Sequence, residues 1–278
     1  MRKPKVTVAH SPDSDDAFMF YALAKGKVET HGYEFVHELN DIESLNLRAE
    51  EGIYDLTAIS FHAYPYVRKH YRLMTCGSSI GDGYGPMIVA KRSLSVRDLD
   101  EVTIAVAGTM TTSYLALKLF CPGARTKVMP FDKIMEAVKK GEVDAGLLIH
   151  EGQLTWTDHQ LHRVVDLGEW WSRETGLPLP LGGNALKRSL DKKATSAACD
   201  VMRDTVKYAL EHRQEALDYA ISFSRGLDRK RADKFIGMYV NDMTLDLGER
   251  GQDAVALLLR LGHEAGVIEE LVEPEFVE

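Results

Sequence analysis

A short apolar or β-branched run, then a polar loop, then an amphipathic helix: this unit recurs along the chain and constrains its fold more than any other feature. Lys5 to Ala9 reads as the first strand, and Asp13 or Ser14 can cap a helix running from about Asp15 to Lys25. A strand over Tyr33 to Leu39, a helix over Ile42 to Glu51 and a strand over Asp55 to Ser60 follow, and Ser60 opens a further helix perturbed by Pro65. A second series begins with a strand at Met87 to Ala90 and another at Val102 to Ala107, which leads into a turn and helix, GTMTTSYLALKLF. It continues with a strand at Lys127 to Met129, a helix at Phe131 to Lys140 and a strand at Asp144 to Ile149. The alternation predicts parallel sheets with helices on their faces.

Two glycine- and proline-rich stretches interrupt the pattern. Gly81, Gly83 and Gly85 are not a dinucleotide fingerprint, because Pro86 leads into a strand and not into a helix. They read as a crossing between lobes, and LPLPLGGNAL, around Gly182, reads as the return. From about Ala194 the chain reads as wholly helical. The expected organisation is therefore a discontinuous lobe one, residues 1–86 and 183–278, and a lobe two of residues 87–182, with a ligand cleft between them.

With 278 residues the chain exceeds the commonest single-domain size, which favours two lobes. A net charge of −8, from 34 basic and 42 acidic residues, argues against nucleic-acid binding as the main activity. Arg203, Lys207, Arg213, Arg225, Arg229, Lys230 and Arg231 are interleaved with acids and read as solvated helix faces. Cys76, Cys121 and Cys199 are isolated, which fits buried thiols in a reducing compartment. No signal peptide or membrane-length apolar run is recognisable, so the expected location is the cytoplasm, with no membrane partner.

The stretch VDAGLLIHEGQLTW carries the sharpest chemical signal. His150 stands at the carboxyl end of its strand, where open α/β sheets place their ligands, and imidazole titrates near neutral pH. That position suits a general base, and it also suits a histidine satisfied by a backbone carbonyl. The turn Gly108 to Ser113 joins a glycine to Thr111, Thr112 and Ser113 at a helix start, a set of donors for a carboxylate or an ordinary helix cap. Asp13, Asp15 and Asp16 lack the glycine and glutamate of a calcium loop, and His150-Glu151 lacks the second histidine of a zincin. Sequence spacing thus gives no metal ligand set and no cofactor pattern.

HSPDSDDAFMFYAL, DLTAIS, GDGYGPMIV, GTMTTSYLAL, LLIHEGQLT, LPLGGNAL and MYVNDMT, taken in order, resemble the 1,4-dihydroxy-6-naphthoate synthases of the futalosine route to menaquinone. The resemblance covers nearly the whole chain, with LLIHEGQLT and LPLGGNA its most specific parts. It implies the α/β, two-lobed fold of type II periplasmic binding proteins turned to catalysis, without a cofactor. The implied reaction is a lyase step in which cyclic dehypoxanthine futalosine, a small-molecule carboxylate, gives 1,4-dihydroxy-6-naphthoate and a sugar-derived fragment. The resemblance makes His150 the base and sets Ser60, Thr112 and Ser113 against the substrate. Chorismate dehydratase of the same pathway and a non-catalytic binder of small acids are the competing readings. One departure stands out: many members read Ser-Pro-Cys-Pro-Asn-Asp after the first strand, where this chain has Ser11, Pro12, Asp13, Ser14, Asp15 and Asp16.

Overall fold

A computed structural model describes residues 3–278. Its strands in chain order are β1 (Lys5–His10), β2 (Glu34–Leu39), β3 (Leu56–Ser60), β4 (Tyr71–Met74), β5 (Ser79–Gly81), β6 (Met87–Ala90), β7 (Thr103–Val106), β8 (Arg125–Val128), β9 (Ala145–Leu148), β10 (His162–Asp166), β11 (Leu179–Lys187) and β12 (Phe276–Val277). They form two sheets. The first runs β12-β4-β11-β3-β1-β2 with β5 paired to β11, and the second runs β10-β6-β9-β7-β8. Helices cover both, giving an α/β, two-lobed architecture.

The strands nearest the middle are apolar on both faces, as covered sheets require. Every residue of β3, LTAIS, and of β9, AGLL, is buried. In β9, Gly146 lets the helix Phe131–Lys140 lie close, since a Cβ there would sit 2.5 Å from Ile134 Cγ2. One apolar cluster reaches both sheets, joining Ile59 and Leu73 of the first to Ile104 and Leu147 of the second through Trp171 and Leu258. A second cluster packs Val6, Val8 and Phe18 against Met202 and Phe235 of the carboxyl-terminal helices. That helical segment includes Lys192–Glu211, Arg213–Ala220, Arg229–Tyr239 and Gly248–Glu264, and Asp191 and Asp228 cap two of the four.

Several sequence expectations need correction. The sheets are mixed: β1 is parallel to β2 and β3, but β11 is antiparallel to β3, β4 and β5, and β6 is antiparallel to β9 and β10. A strand entering from the other sheet needs no crossover helix on its own sheet, so the βαβ argument does not fix its direction. The sequence places the second crossing at Gly182, yet that glycine lies inside β11, paired with Ser60. The chain has already returned by Leu179, so residues 179–182 belong to the first sheet and not to a lobe of 87–182. Two adjacent glycines read as a break, but here they are a close approach of β11 to β3, with a Cβ on Gly182 only 3.0 Å from the Ile59 carbonyl oxygen. The first helix also divides, into Ser14–Met19 and Tyr21–Ala24.

Candidate active site

A cavity opens where β1, β3 and β11 of the first sheet face the ends of β7 and β9 of the second. Ser60, Thr112, Ser113 and His150, the four residues singled out in the sequence, all line it. Each is placed by a different local device.

Thr112 and Ser113 open the helix Thr112–Phe120, where backbone N–H groups of the first turn have no intrahelical partner. Thr111 is the cap, accepting from Tyr114 N at 3.2 Å and donating to Gly108 O at 3.0 Å. Its oxygen lies 2.9 Å from Ser113 Oγ. Thr112 Oγ1 accepts from His62 N at 3.1 Å, leaving its own proton to donate. The turn is braced from behind by Glu43, which accepts from Met110 N at 3.2 Å. Gly108 is required there, since a Cβ would fall 2.0 Å from the Glu43 carboxyl carbon. Ser60 is clamped by Asn46, whose Oδ1 accepts from Ser60 N at 2.8 Å and whose Nδ2 donates to Ser60 Oγ at 3.1 Å.

His150 follows β9 with φ of 52°, a left-handed conformation unfavourable for a residue with a Cβ. Its carbonyl accepts from Gln153 N at 3.1 Å, which begins the short helix Gly152–Thr155. The ring stands edge-on to Phe131 at 4.9 Å between centroids, and Arg225 lies over that same phenyl ring at 4.4 Å. On one side Nδ1 meets Asp13 Oδ2 at 3.1 Å. On the other, Nε2 is buried with no hydrogen-bond partner. The carbonyl-satisfied histidine considered in the sequence is therefore not what the fold builds.

Asp13 is the residue sequence reasoning undervalued. It caps the helix Ser14–Met19, as expected, accepting from Asp16 N, but its second oxygen faces His150. It is 2% exposed. Burial alone would raise its carboxyl, but His150, contacts with Ser11 and Asp15, and Arg225 outweigh that and hold it below the usual range. Asp15 and Asp16 move the other way: burial, then the Asp13 charge, pushes both well above the ordinary carboxyl value. Asp16 accepts from Ser11 N at 2.7 Å, whereas Asp15 Oδ1 is buried without a partner. Glu151 accepts from Arg225 at 3.0 Å and from Ser14 Oγ at 3.4 Å. Arg225, read as part of a solvated helix face, instead sits in a loop that bridges Glu151 and the Pro12 carbonyl. Interleaving with acids could not distinguish a freely solvated cation from an exposed one paired with a distant glutamate. Tyr239 and Gln153, also on the cavity wall, hydrogen-bond each other, and burial pushes the Tyr239 phenol well above its usual value.

Ligand atoms of Asp13, Asp15 and His150 lie within 4.8 Å of one another, the one such grouping among the described residues. Sequence spacing could not show it, since Asp13 and His150 lie 137 positions apart in the chain. The Nδ1 atom is engaged by Asp13, and Nε2 is buried without a partner, as in a hydrogen-bonded carboxylate–imidazole pair. What the site can do chemically is accept a proton at Nε2, with donors for an anion across the cavity at the Thr112 turn.

Among the described residues no helix is long and apolar enough to cross a membrane. A family profile described as menaquinone biosynthesis matches residues 6–264. A 1,4-dihydroxy-6-naphthoate synthase of Thermus thermophilus is 39% identical over 96% of this chain and 97% of its own length. One from Streptomyces coelicolor is 36% identical over 98% and 97%. Among solved structures, an Archaeoglobus fulgidus protein superposes with a TM-score of 0.92 at 48% identity, covering 95% of this chain and 98% of that one. The alkanesulfonate-binding protein of Xanthomonas axonopodis reaches 0.74 at 11% identity over 98% and 97%, a likeness of fold alone and of the periplasmic-binding-protein kind. The profile match and the two curated relatives together show that the chain belongs to the menaquinone-biosynthesis enzyme family, among the 1,4-dihydroxy-6-naphthoate synthases.

Proposed function

We propose that the enzyme converts cyclic dehypoxanthine futalosine to 1,4-dihydroxy-6-naphthoate, with His150 as the general base that starts release of the sugar-derived fragment. The observation that carries this reading is the polarity of the His150 ring: Asp13 holds Nδ1, and Nε2 is left without a partner in a residue that lines the cavity. Nδ1–H donated to a carboxylate fixes the neutral tautomer with its lone pair on Nε2, the form that accepts a proton. Nε2 removes a proton from a carbon of the sugar-derived part, next to developing carbonyl character. The electron pair left behind forms the new double bond as the bond to the leaving fragment breaks. Aromatisation of the ring system makes the overall step favourable.

The aryl carboxylate belongs at the other wall. Thr112 Oγ1, the free N–H groups of the Thr112 turn and the positive end of the helix Thr112–Phe120 supply the donors, with Ser60 and Ser113 beside them. An acidic chain that binds an anion needs such local positive potential, because no lysine lines this cavity. A biosynthetic role of this kind accords with the cytoplasmic location expected from the sequence.

The test is to incubate the purified protein with cyclic dehypoxanthine futalosine and to follow the naphthoate by mass, with chorismate offered in parallel. Naphthoate formed only in the first arm supports the reading. Turnover of chorismate, or binding without product, overturns it.

A further inference from the structure

The Asp13–Asp16 loop concentrates more negative charge than its neighbours neutralise. Asp13, Asp15 and Glu151 are 2%, 7% and 6% exposed, and Asp16 stands beside them on the cavity wall. One cation and one imidazole face them. Arg225 is committed to Glu151 and the Pro12 carbonyl, and His150 to Asp13. From the helices packed against the loop come Tyr239, held by Gln153, and Arg213, which lies over Phe18 and pairs with Asp233. Among the described residues no cation is left for Asp15, and its Oδ1 is buried with no partner. An ionised carboxylate so placed would carry its full desolvation cost beside another carboxylate. Two carboxyl groups in one buried site resolve that conflict by keeping one proton between them.

We propose that Asp15 is a positioning residue for His150: it is held as a neutral carboxylic acid whose O–H donates to the Asp13 carboxylate, so that one negative charge, fixed on Asp13, faces His150 Nδ1. The close grouping of the Asp13, Asp15 and His150 side-chain atoms and the unpartnered Asp15 oxygen carry the inference. The opposite displacement of the two carboxyls, Asp13 down and Asp15 up, agrees with it. The Asp15 proton keeps the pair from holding two charges. A second charge would draw a proton onto Nε2 and remove the free base. This inference rests on the proposed role of His150, but two of its readouts need no substrate.

The experiment uses the intact enzyme, Asp15→Asn, Asp15→Leu and Asp13→Asn. Difference infrared spectra of wild type against Asp15→Asn at neutral pH should show a protonated carboxyl band that shifts in deuterium oxide and is missing from the variant. Imidazole nitrogen NMR should show His150 protonated on Nδ1 in wild type and in Asp15→Asn, and a mixture of tautomers in Asp13→Asn. In turnover, Asp15→Leu should lose on the order of tenfold or more in kcat/KM, the effect of leaving a buried charged acceptor short of one donor. Asp15→Asn, whose amide donates at every pH, should restore most of that loss, and it should lack the fall in activity at alkaline pH that loss of the Asp15 proton is expected to give the wild type. A difference spectrum with no protonated carboxyl band, in which wild type and Asp15→Asn carry the same bands, overturns the proposal. So does saturable binding of zinc or magnesium ions to the wild type that Asp15→Leu and Asp13→Asn each abolish. A protein with the infrared and NMR signatures but no turnover of the futalosine substrate would refute the proposed function and leave the proton-sharing pair standing.

Discussion

The Gly108–Ser113 turn and the Asp13–Asp16 loop both cap helices at the edge of one cavity, and they solve opposite problems. At the turn, hydroxyls satisfy one another and the backbone, and the unpaired groups are donors. In the loop, carboxylates crowd together, and the unpaired groups are a buried acid oxygen and an imidazole nitrogen. The first wall needs no titration to work, because an N–H dipole is present at every pH. The second depends on where protons sit. Binding and chemistry should therefore separate cleanly between the walls.

The largest effect expected is at His150. Replacing it with Asn removes the basic nitrogen, and kcat should fall by on the order of 10²–10⁴ while affinity for the naphthoate product stays close to wild type. A variant that loses product binding instead would place His150 with the binding wall. Asp13→Asn comes next, expected to lower kcat by about 10- to 100-fold, the range for one hydrogen bond to a charged group, again with product binding retained. Thr112→Val tests the opposite wall. It should weaken binding of a carboxylate ligand by roughly 1–3 kcal/mol, seen by calorimetry, and leave binding of the decarboxylated analogue unchanged. Equal losses for both ligands would reduce Thr112 to a helix cap.

The smallest effect at neutral pH concerns the histidines behind each wall. His62 supports the Thr112 turn, donating from its backbone N to Thr112 Oγ1 and placing Nδ1 3.2 Å from Thr111 O. His10 lies under the acidic loop, stacked on Phe20 at 4.3 Å and 3.0 Å from His37. Burial lowers both, His62 to about 4 and His10, with help from the His37 charge, also to about 4. The unfolded chain takes these protons at about pH 6.5, so between there and about pH 4 it binds more of them than the fold does. Their contribution to stability is thus complete above about pH 6.5 and is lost as pH falls toward about 4. Melting temperatures recorded across that interval should decline, and His62→Gln and His10→Gln should each flatten the decline. An unchanged slope in both would mean that other groups govern acid sensitivity.

Strands β1, β2, β3, β6, β7 and β9, the glycine crossing before β6 and the placement of His150 just after β9 were legible from residue order, because each depends on neighbours within a few positions, whereas β4, β5, β10, β11 and the terminal β12, in a segment read as wholly helical, were not. The motif resemblance likewise led to the family and to four residues that do line one cavity. Residue order did not show that β11 runs against β3, since a long-range pairing leaves no local period. Nor did it show the role of Asp13. Three aspartates in six residues read as a failed calcium loop or a helix cap, and only the apposition of the loop before the helix Ser14–Met19 to the turn after β9 brings Asp13 to Nδ1 of His150. Arg225 was misread for the same reason. A charge's partner is chosen by distance through space, so sequence names the ionisable groups while tertiary structure alone decides which are paired, which are buried, and which must keep a proton.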